Sequence, residues 1–291
     1  MVLVLPGLYD SGPAHWQSLW QSQWQAQGTT LRVERVVQQE WAAPRCADWV
    51  ARLTHMMRES THDVVLVAHS SACAMVSHWA REAPLECIMR VRGALLVAPS
   101  DPLSAVYPSG PTGFDPIPLH TLPFPSTVVA SRTDDYVTFA QAEQYAAAWG
   151  SRVCDLGNAG HINADAGYGP WPEGWHAVEA MAAAPQCRVA RYTDVPALTA
   201  LIDASVRRLA AEYYTDAQIA SSLAYVFGVD SSLIHDRSYF VLEQHGAIVA
   251  AGGWSDRQTL FGGDQFHGRS EGRLDPATSP ARIRACYVHP D

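Results

Sequence analysis

The stretch Asp63-Val64-Val65-Leu66-Val67-Ala68-His69-Ser70-Ser71-Ala72-Cys73-Ala74 constrains this chain more than any other. Its short valine-rich run reads as a strand buried on both faces of a parallel sheet. Small residues follow at once. Helix formers then run from Ala74 to Ala80. A strand that turns directly into a helix, with serine at the turn, holds the serine hydroxyl out at the sheet edge. The usual pattern of such a turn is G-x-S-x-G. Here it reads Ala68-His69-Ser70-Ser71-Ala72, with alanine at both glycine positions.

So tight a turn leaves no room for large side chains two residues before and after the serine. Around Ser70 those positions are Ala68 and Ala72; around Ser71 they would be His69 and Cys73. Ser70 is therefore the candidate nucleophile. Ser71 would begin the helix and turn its backbone N–H toward an oxyanion, where the helix N-terminus favours negative charge. The plainer alternative is an ordinary strand-to-helix turn with serine as the helix cap. His69 is taken as packing, its side chain directed away across the turn.

At 291 residues the chain has room for one large domain or two small ones. A hydrophobic content of 48% against 17% charged residues describes a well-cored globular protein. The net charge is −9 and there is no basic tract, which argues against nucleic acid or an anionic membrane as partner. All 20 basic residues are arginine. Without lysine, Schiff-base chemistry and a Walker-A phosphate loop are excluded. The six cysteines are scattered, without metal-ligand spacing, and read as reduced, mostly buried thiols of a cytoplasmic protein. Nothing at the N-terminus resembles a signal peptide, and no apolar run reaches the ~20 residues needed to span a bilayer. The twelve histidines include no HExxH pair, so no metal is expected.

Strands are predicted at Val2–Leu5, Leu31–Val36, the run before Ser70, Gly93–Ala98, Thr127–Ser131 and Arg152–Leu156. Helices are predicted from Pro13 to about Gln27 (ended by Gly28), after Pro44 through Met57, after Ser70, and from Phe139 to Trp149 with Gly150 as stop. Alternating strands and helices imply a parallel, doubly wound α/β sheet. Between Pro99 and Pro125 the chain is rich in proline and glycine, and this loop is read as a partial cover over the pocket. The pattern restarts near residues 184–187, giving domains 1–184 and 188–291. The second begins with a strand at Arg188–Tyr192 and a helix opened by Thr193-Asp194 and Pro196. A helix over Asp216–Phe227 follows, then a hairpin of Tyr239–Glu243 and Ile248–Trp254 turning at His245-Gly246, and a last strand at Ile283–Val288.

A serine nucleophile needs a base, an acid to orient the base, and oxyanion donors. In sheets of this kind they follow in the order Ser, Asp or Glu, His. After the strand ending at Ser131 comes Arg132-Thr133-Asp134-Asp135; after the strand ending at Leu156 comes Gly157-Asn158-Ala159-Gly160-His161. The order Ser70, Asp134, His161 fits. Asp135 and Asp101 are rival acids, and His120 and His176 rival bases. Either aspartate of the pair could instead cap the next helix. The loop Pro6-Gly7-Leu8 follows the first strand at the same edge, so the backbone N–H of Leu8 is the second oxyanion donor beside that of Ser71.

The segments Pro6–Gln17, Ala68-His69-Ser70, Ser131–Asp134, Ala159–Ala164 and Gly167–Pro172 together resemble the small serine hydrolases related to retinoblastoma-binding protein nine. The resemblance spans residues 1–184. It implies a compact α/β-hydrolase, a Ser70–Asp134–His161 triad with Asp134 rather than Asp135 as the acid, and action on small acyl esters. Ser71-Ala72 departs from the Leu-Gly that relatives often carry.

Residues 188–291 resemble the first half of a GNAT-type N-acetyltransferase: Arg191–Pro196 its opening, the hairpin its centre, and Ile283–Asp291 the strand before its cofactor motif. The Q/R-x-x-G-x-G/A loop expected next is not in the sequence. The segment is read as incomplete. The acetyl-CoA that the resemblance implies would lack its phosphate cradle, and self-association through an exposed strand edge is expected. The lead expectation is thus a serine esterase needing no cofactor. The alternatives are a bifunctional acetyltransferase whose remaining half lies beyond Asp291, and a non-catalytic binding module.

Overall fold

Residues 1–24, 31–244, 246–270 and 272–291 are described by a computed structural model. They form two units, residues 1–182 and 183–291.

In the first unit six strands lie parallel: β1 (Val2–Leu5), β2 (Val33–Arg35), β3 (Val64–His69), β4 (Val91–Val97), β5 (Ser126–Ala130) and β6 (Arg152–Asp155). Their spatial order is β2-β1-β3-β4-β5-β6. Helices α1 (Trp16–Leu19), α2 (Cys46–Glu59), α3 (Ser71–Glu82), α4 (Leu85–Ile88) and α5 (Phe139–Trp149) lie between them in sequence, and α6 (Pro172–Ala183) follows β6. The period of two along each strand sorts side chains into two cores. Leu3, Leu5, Leu66, Ala68, Leu96 and Val128 face one core, shared with Trp49, Leu53, Trp79 and Trp149 of α2, α3 and α5. Val2, Val4, Val65, Val67, Leu95 and Val129 face the other, shared with Trp16 of α1 and Trp175 and Val178 of α6. Burial on both faces is why β1, β3, β4 and β5 read as near-continuous apolar runs, whereas the edge strands β2 and β6 are partly exposed. The parallel register sets His69 opposite Val97, and Val97 opposite Val129. The loops leaving β1, β3, β4, β5 and β6 therefore gather along one edge of the sheet.

The helix predicted from Pro13 starts only after His15, whose ring Nδ1 accepts the Gln17 amide as an N-cap. The turn Trp20–Trp24 continues it with a wider, π-helical winding. The predicted end at Gly28 lies outside the described residues. Helix α6 is an element the sequence pattern did not predict; no helix is expected between Leu156 and the second domain. Its apolar residues Trp175 and Val178 complete the second core. The segment Pro99–Pro125 holds neither helix nor strand, yet Phe114, Leu122 and Phe124 root it in the first core.

The second unit is an antiparallel sheet of β7 (Gln186–Val189), β8 (Tyr239–Gln244), β9 (Ala247–Ser255) and β10 (Arg282–Val288), in the order β10-β9-β8-β7. Helices α7 (Val195–Leu209), α8 (Asp216–Tyr225) and α9 (Ser231–His235) lie between β7 and β8 in sequence. Leu198, Leu201 and Ile202 of α7 pack on Tyr239, Val241 and Ala251. Strand β7 sits earlier than predicted. The Asp194 carboxylate accepts the Arg191 amide at 2.8 Å and so winds that segment into a turn instead of strand. His245, placed at the hairpin turn, lies outside the described residues. The six cysteines are free; Cys46, Cys73 and Cys87 are buried, but Cys187 and Cys286 are exposed, contrary to the expectation of mostly buried thiols. No helix among the described residues is long and apolar enough to cross a membrane.

Candidate active site

Ser70 occupies the turn between β3 and α3 at φ 60° and ψ −129°. A non-glycine residue takes this left-handed conformation only when its surroundings enforce it. Here the Ser70 amide is tied to the Val97 carbonyl at 2.9 Å. Ala68 and Ala72, two residues before and after it, are fully buried.

The loops after β5 and β6 bring in the other two groups. His161 Nδ1 lies 3.0 and 2.9 Å from the two Asp134 carboxylate oxygens, and its Nε2 lies 3.0 Å from Ser70 Oγ. The Asp134 side chain is fully buried and also accepts the Tyr136 amide at 2.9 Å. A carboxylate only accepts, so Nδ1 carries the imidazole proton and Nε2 offers a lone pair to the serine hydroxyl. The rivals are elsewhere. Asp135 is exposed, Asp101 caps the Leu103 amide, and His176 points to solvent on α6. His120 has a buried Nε2 and stands outside this cluster.

The two loops are fastened to each other. Ser131 Oγ accepts the Thr133 and Ala159 amides at 3.2 and 3.0 Å and donates to the Gly157 carbonyl. Thr133 Oγ1 accepts the Gly160 amide at 3.1 Å. From the other side Trp16 Nε1 donates to the Ile162 carbonyl at 2.9 Å. His69 adds a further clamp. Its ring does not turn away as expected; it lies 4.8 Å from the His161 ring, and Nε2 donates to the His161 carbonyl at 2.9 Å. Burial holds His69 well below the usual histidine range, so it stays neutral. His15 lies 4.8 Å from His69, and burial, assisted by the Arg35 charge, lowers it to about 4.

Gly7 packs directly on the serine; a Cβ there would come within 2.6 Å of Ser70 Cβ. The backbone of Leu8 thereby borders the nucleophile. Neither the Leu8 nor the Ser71 amide has an acceptor among the described residues. Together with Tyr9, Ser100, Tyr107, Tyr136 and Asn163 they line a cavity of about 430 Å³ opening on Ser70. Tyr107 comes from the proline-rich segment and donates to Ser71 Oγ at 3.0 Å, anchoring the cover. No group of three metal-ligating side chains converges among the described residues.

A family model described as serine hydrolase matches residues 2–180. The chain belongs to the serine hydrolase family. Among solved structures this serine hydrolase is similar to a YdeN-like hydrolase from Pectobacterium atrosepticum, at 30% identity and TM-score 0.53, over 62% of this chain and 89% of the other. It shares its fold with the ydeN gene product of B. subtilis, at 21% identity and TM-score 0.50, over 62% of this chain and 97% of that one. No curated protein sequence matches it. The family match covers the sheet that carries Ser70, and residues 183–291 lie outside it.

The sequence reading missed Ser100, Tyr107, His15 and the clamping role of His69. Ser100 carried a faint signal: it stands beside Asp101, just past a predicted strand at the same edge. Tyr107 carried none, because its contact depends on how an irregular segment folds back.

Proposed function

We propose that the first unit is an esterase that hydrolyses small acyl esters through Ser70, His161 and Asp134, as the resemblance to the relatives of retinoblastoma-binding protein nine implies. The observation that carries this is the bridging of His161, 3.0 Å from Ser70 Oγ and 2.9 Å from Asp134. Ser70 Oγ attacks the acyl carbon as its proton passes to Nε2. Asp134 keeps the imidazole in the productive tautomer and stabilises the imidazolium. The Leu8 and Ser71 amides donate to the oxyanion, aided by the N-terminus of α3. The imidazolium then protonates the leaving alkoxide. Water, deprotonated by His161, attacks the acyl-enzyme; the C–Oγ bond breaks, and Ser70 recovers its proton. The cavity of about 430 Å³ suits a small acyl ester. A fluorophosphonate probe with peptide mapping tests the assignment, alongside hydrolysis of p-nitrophenyl acetate. Label on Ser70, and loss on the order of 10⁶ in kcat for Ser70→Ala, are expected. A protein that is not labelled there, or a Ser70→Ala variant that keeps its rate, refutes it and favours a non-catalytic role for the fold.

For residues 183–291 we propose the first half of an N-acetyltransferase-like sheet. Its support is the order of one strand, a helical stretch and a meander β8-β9-β10. Among the described residues of this unit no glycine-rich loop leads into a helix N-terminus, so titration calorimetry of this chain is expected to detect no acetyl-CoA binding, and micromolar affinity would overturn that.

A further inference from the structure

Ser70 Oγ has a second neighbour. Ser100 Oγ lies 2.8 Å from it, is 2% exposed as a residue, and has no other hydrogen-bond partner among the described residues. Its backbone is clamped on both flanks. The Ala98 amide donates to the Val129 carbonyl at 2.9 Å, and the Asp101 amide to the Tyr136 carbonyl at 3.0 Å. Ala98 is held at φ 48°, a left-handed conformation that is unfavourable for alanine. This turn brings Ser100 to the nucleophile.

Two hydroxyls at 2.8 Å do not by themselves say which one donates. Their neighbours decide it. Asp134 can only accept, so His161 Nδ1 carries a proton and Nε2 does not. Ser70 must then spend its single proton on Nε2, and toward Ser100 it can only accept. The Ser100 proton is thus directed at the oxygen that attacks.

We infer that Ser100 is a further catalytic residue, whose hydroxyl donates to Ser70 Oγ and stabilises the negative charge that oxygen carries while bonds change. This rests on the assignment of Ser70 as nucleophile. In acylation the Ser70 O–H bond breaks toward Nε2 as the C–Oγ bond forms, and charge gathers on Oγ between the two events. In deacylation the C–Oγ bond of the second tetrahedral intermediate breaks. Its electron pair goes to Oγ, and the proton returns from His161. Ser100 keeps its own proton throughout. A hydrogen bond to an anionic oxygen is stronger than one to a neutral hydroxyl. The interaction therefore strengthens on the way to the transition state, and this is the condition for accelerating the reaction.

The test compares wild type, Ser100→Ala and Ser100→Thr with p-nitrophenyl acetate as probe, together with melting temperatures, fluorophosphonate mapping and a proton inventory in mixed H₂O and D₂O. Ser100→Ala is expected to lower kcat roughly 10- to 100-fold, the worth of one hydrogen bond to a charged group. Its KM and melting temperature should hardly move, and its solvent isotope effect should shrink. Ser100→Thr, which keeps the hydroxyl, should recover most of the rate. Label should fall on Ser70 in every variant. Should Ser100→Ala fail to fold, Ser100→Cys, with its weak donor, takes its place, and a lowered kcat is again expected. A wild-type kcat in the donor-deficient variant overturns the inference. So does label on Ser100, or a rate loss with an unaltered isotope effect, which would assign Ser100 a merely structural role. If wild type takes no label at Ser70, the nucleophile assignment itself falls and this inference with it. Label at Ser70 with full activity in Ser100→Ala removes only the role of Ser100.

Discussion

One added methyl group at Gly7 should disable the oxyanion site while leaving the triad residues in the sequence untouched. A Cβ on Gly7 would lie 2.6 Å from Ser70 Cβ, 3.0 Å from the His69 carbonyl oxygen and 3.2 Å from Ser70 Oγ. Carbon atoms in contact stand ~3.5–4.0 Å apart, so about 1 Å must open between the loop and the serine. Ser70 cannot yield easily. Its amide is bonded to Val97, and β3 is paired on both sides, with β1 and β4. The loop moves instead, against the bond from the Tyr9 amide to the Trp41 carbonyl at 2.9 Å, and carries the Leu8 amide with it. A misplacement of about 1 Å costs on the order of 10²-fold in rate, and full loss of one oxyanion donor ~10²- to 10³-fold. Overpacking should also lower stability by roughly 1–3 kcal/mol. Steady-state hydrolysis of p-nitrophenyl acetate by Gly7→Ala, with urea unfolding in parallel, measures both. The expected result is a kcat about 100-fold down in a folded protein with KM little changed. A folded Gly7→Ala with wild-type kcat would refute the idea that this loop supplies an oxyanion donor.

Asp134→Asn should lower kcat by roughly 10⁴ because the amide disturbs the His161 tautomer, whereas exposed Asp135→Asn should not; rates in the opposite order would move the acid to Asp135. His69→Leu removes the donor to the His161 carbonyl and should cost about tenfold in kcat, together with a lower melting temperature; an unaltered rate would mean that the clamp is dispensable. His15 is held near 4 by burial and Arg35, while an unfolded histidine titrates near 6.5. Between those values the unfolded chain binds more protons, so stability is intact above about pH 6.5 and falls as pH drops toward 4. Between pH 7 and 5 the loss from His15 should be on the order of 2 kcal/mol, with His69 acting in the same direction. Urea midpoints should show a shallower decline for His15→Asn, which keeps a capping side chain; parallel declines would count against the buried neutral ring.

The sequence by itself determined the parallel sheet and the position of Ser70, because both depend on local rules. A valine run buried on both faces has no polar alternation to hide it, and a sharp turn admits only small neighbours such as Ala68 and Ala72. Chain order placed Asp134 and His161 in loops at one edge, and the motif resemblance chose Asp134 over Asp135. Helix α6 escaped notice because its apolar pattern is short and follows a glycine- and proline-rich stretch. What only the tertiary structure decided are contacts between segments far apart in the chain. Ser100 becomes a partner of Ser70 only because β3 and β4 are neighbours with His69 opposite Val97. Gly7 is required because residue 70 lies against it. His69 is a clamp because the loop of His161 folds over its ring. Each depends on a spacing of about 3 Å across loops. Local propensity sets which elements form, but such spacings follow from how the finished sheet stacks them.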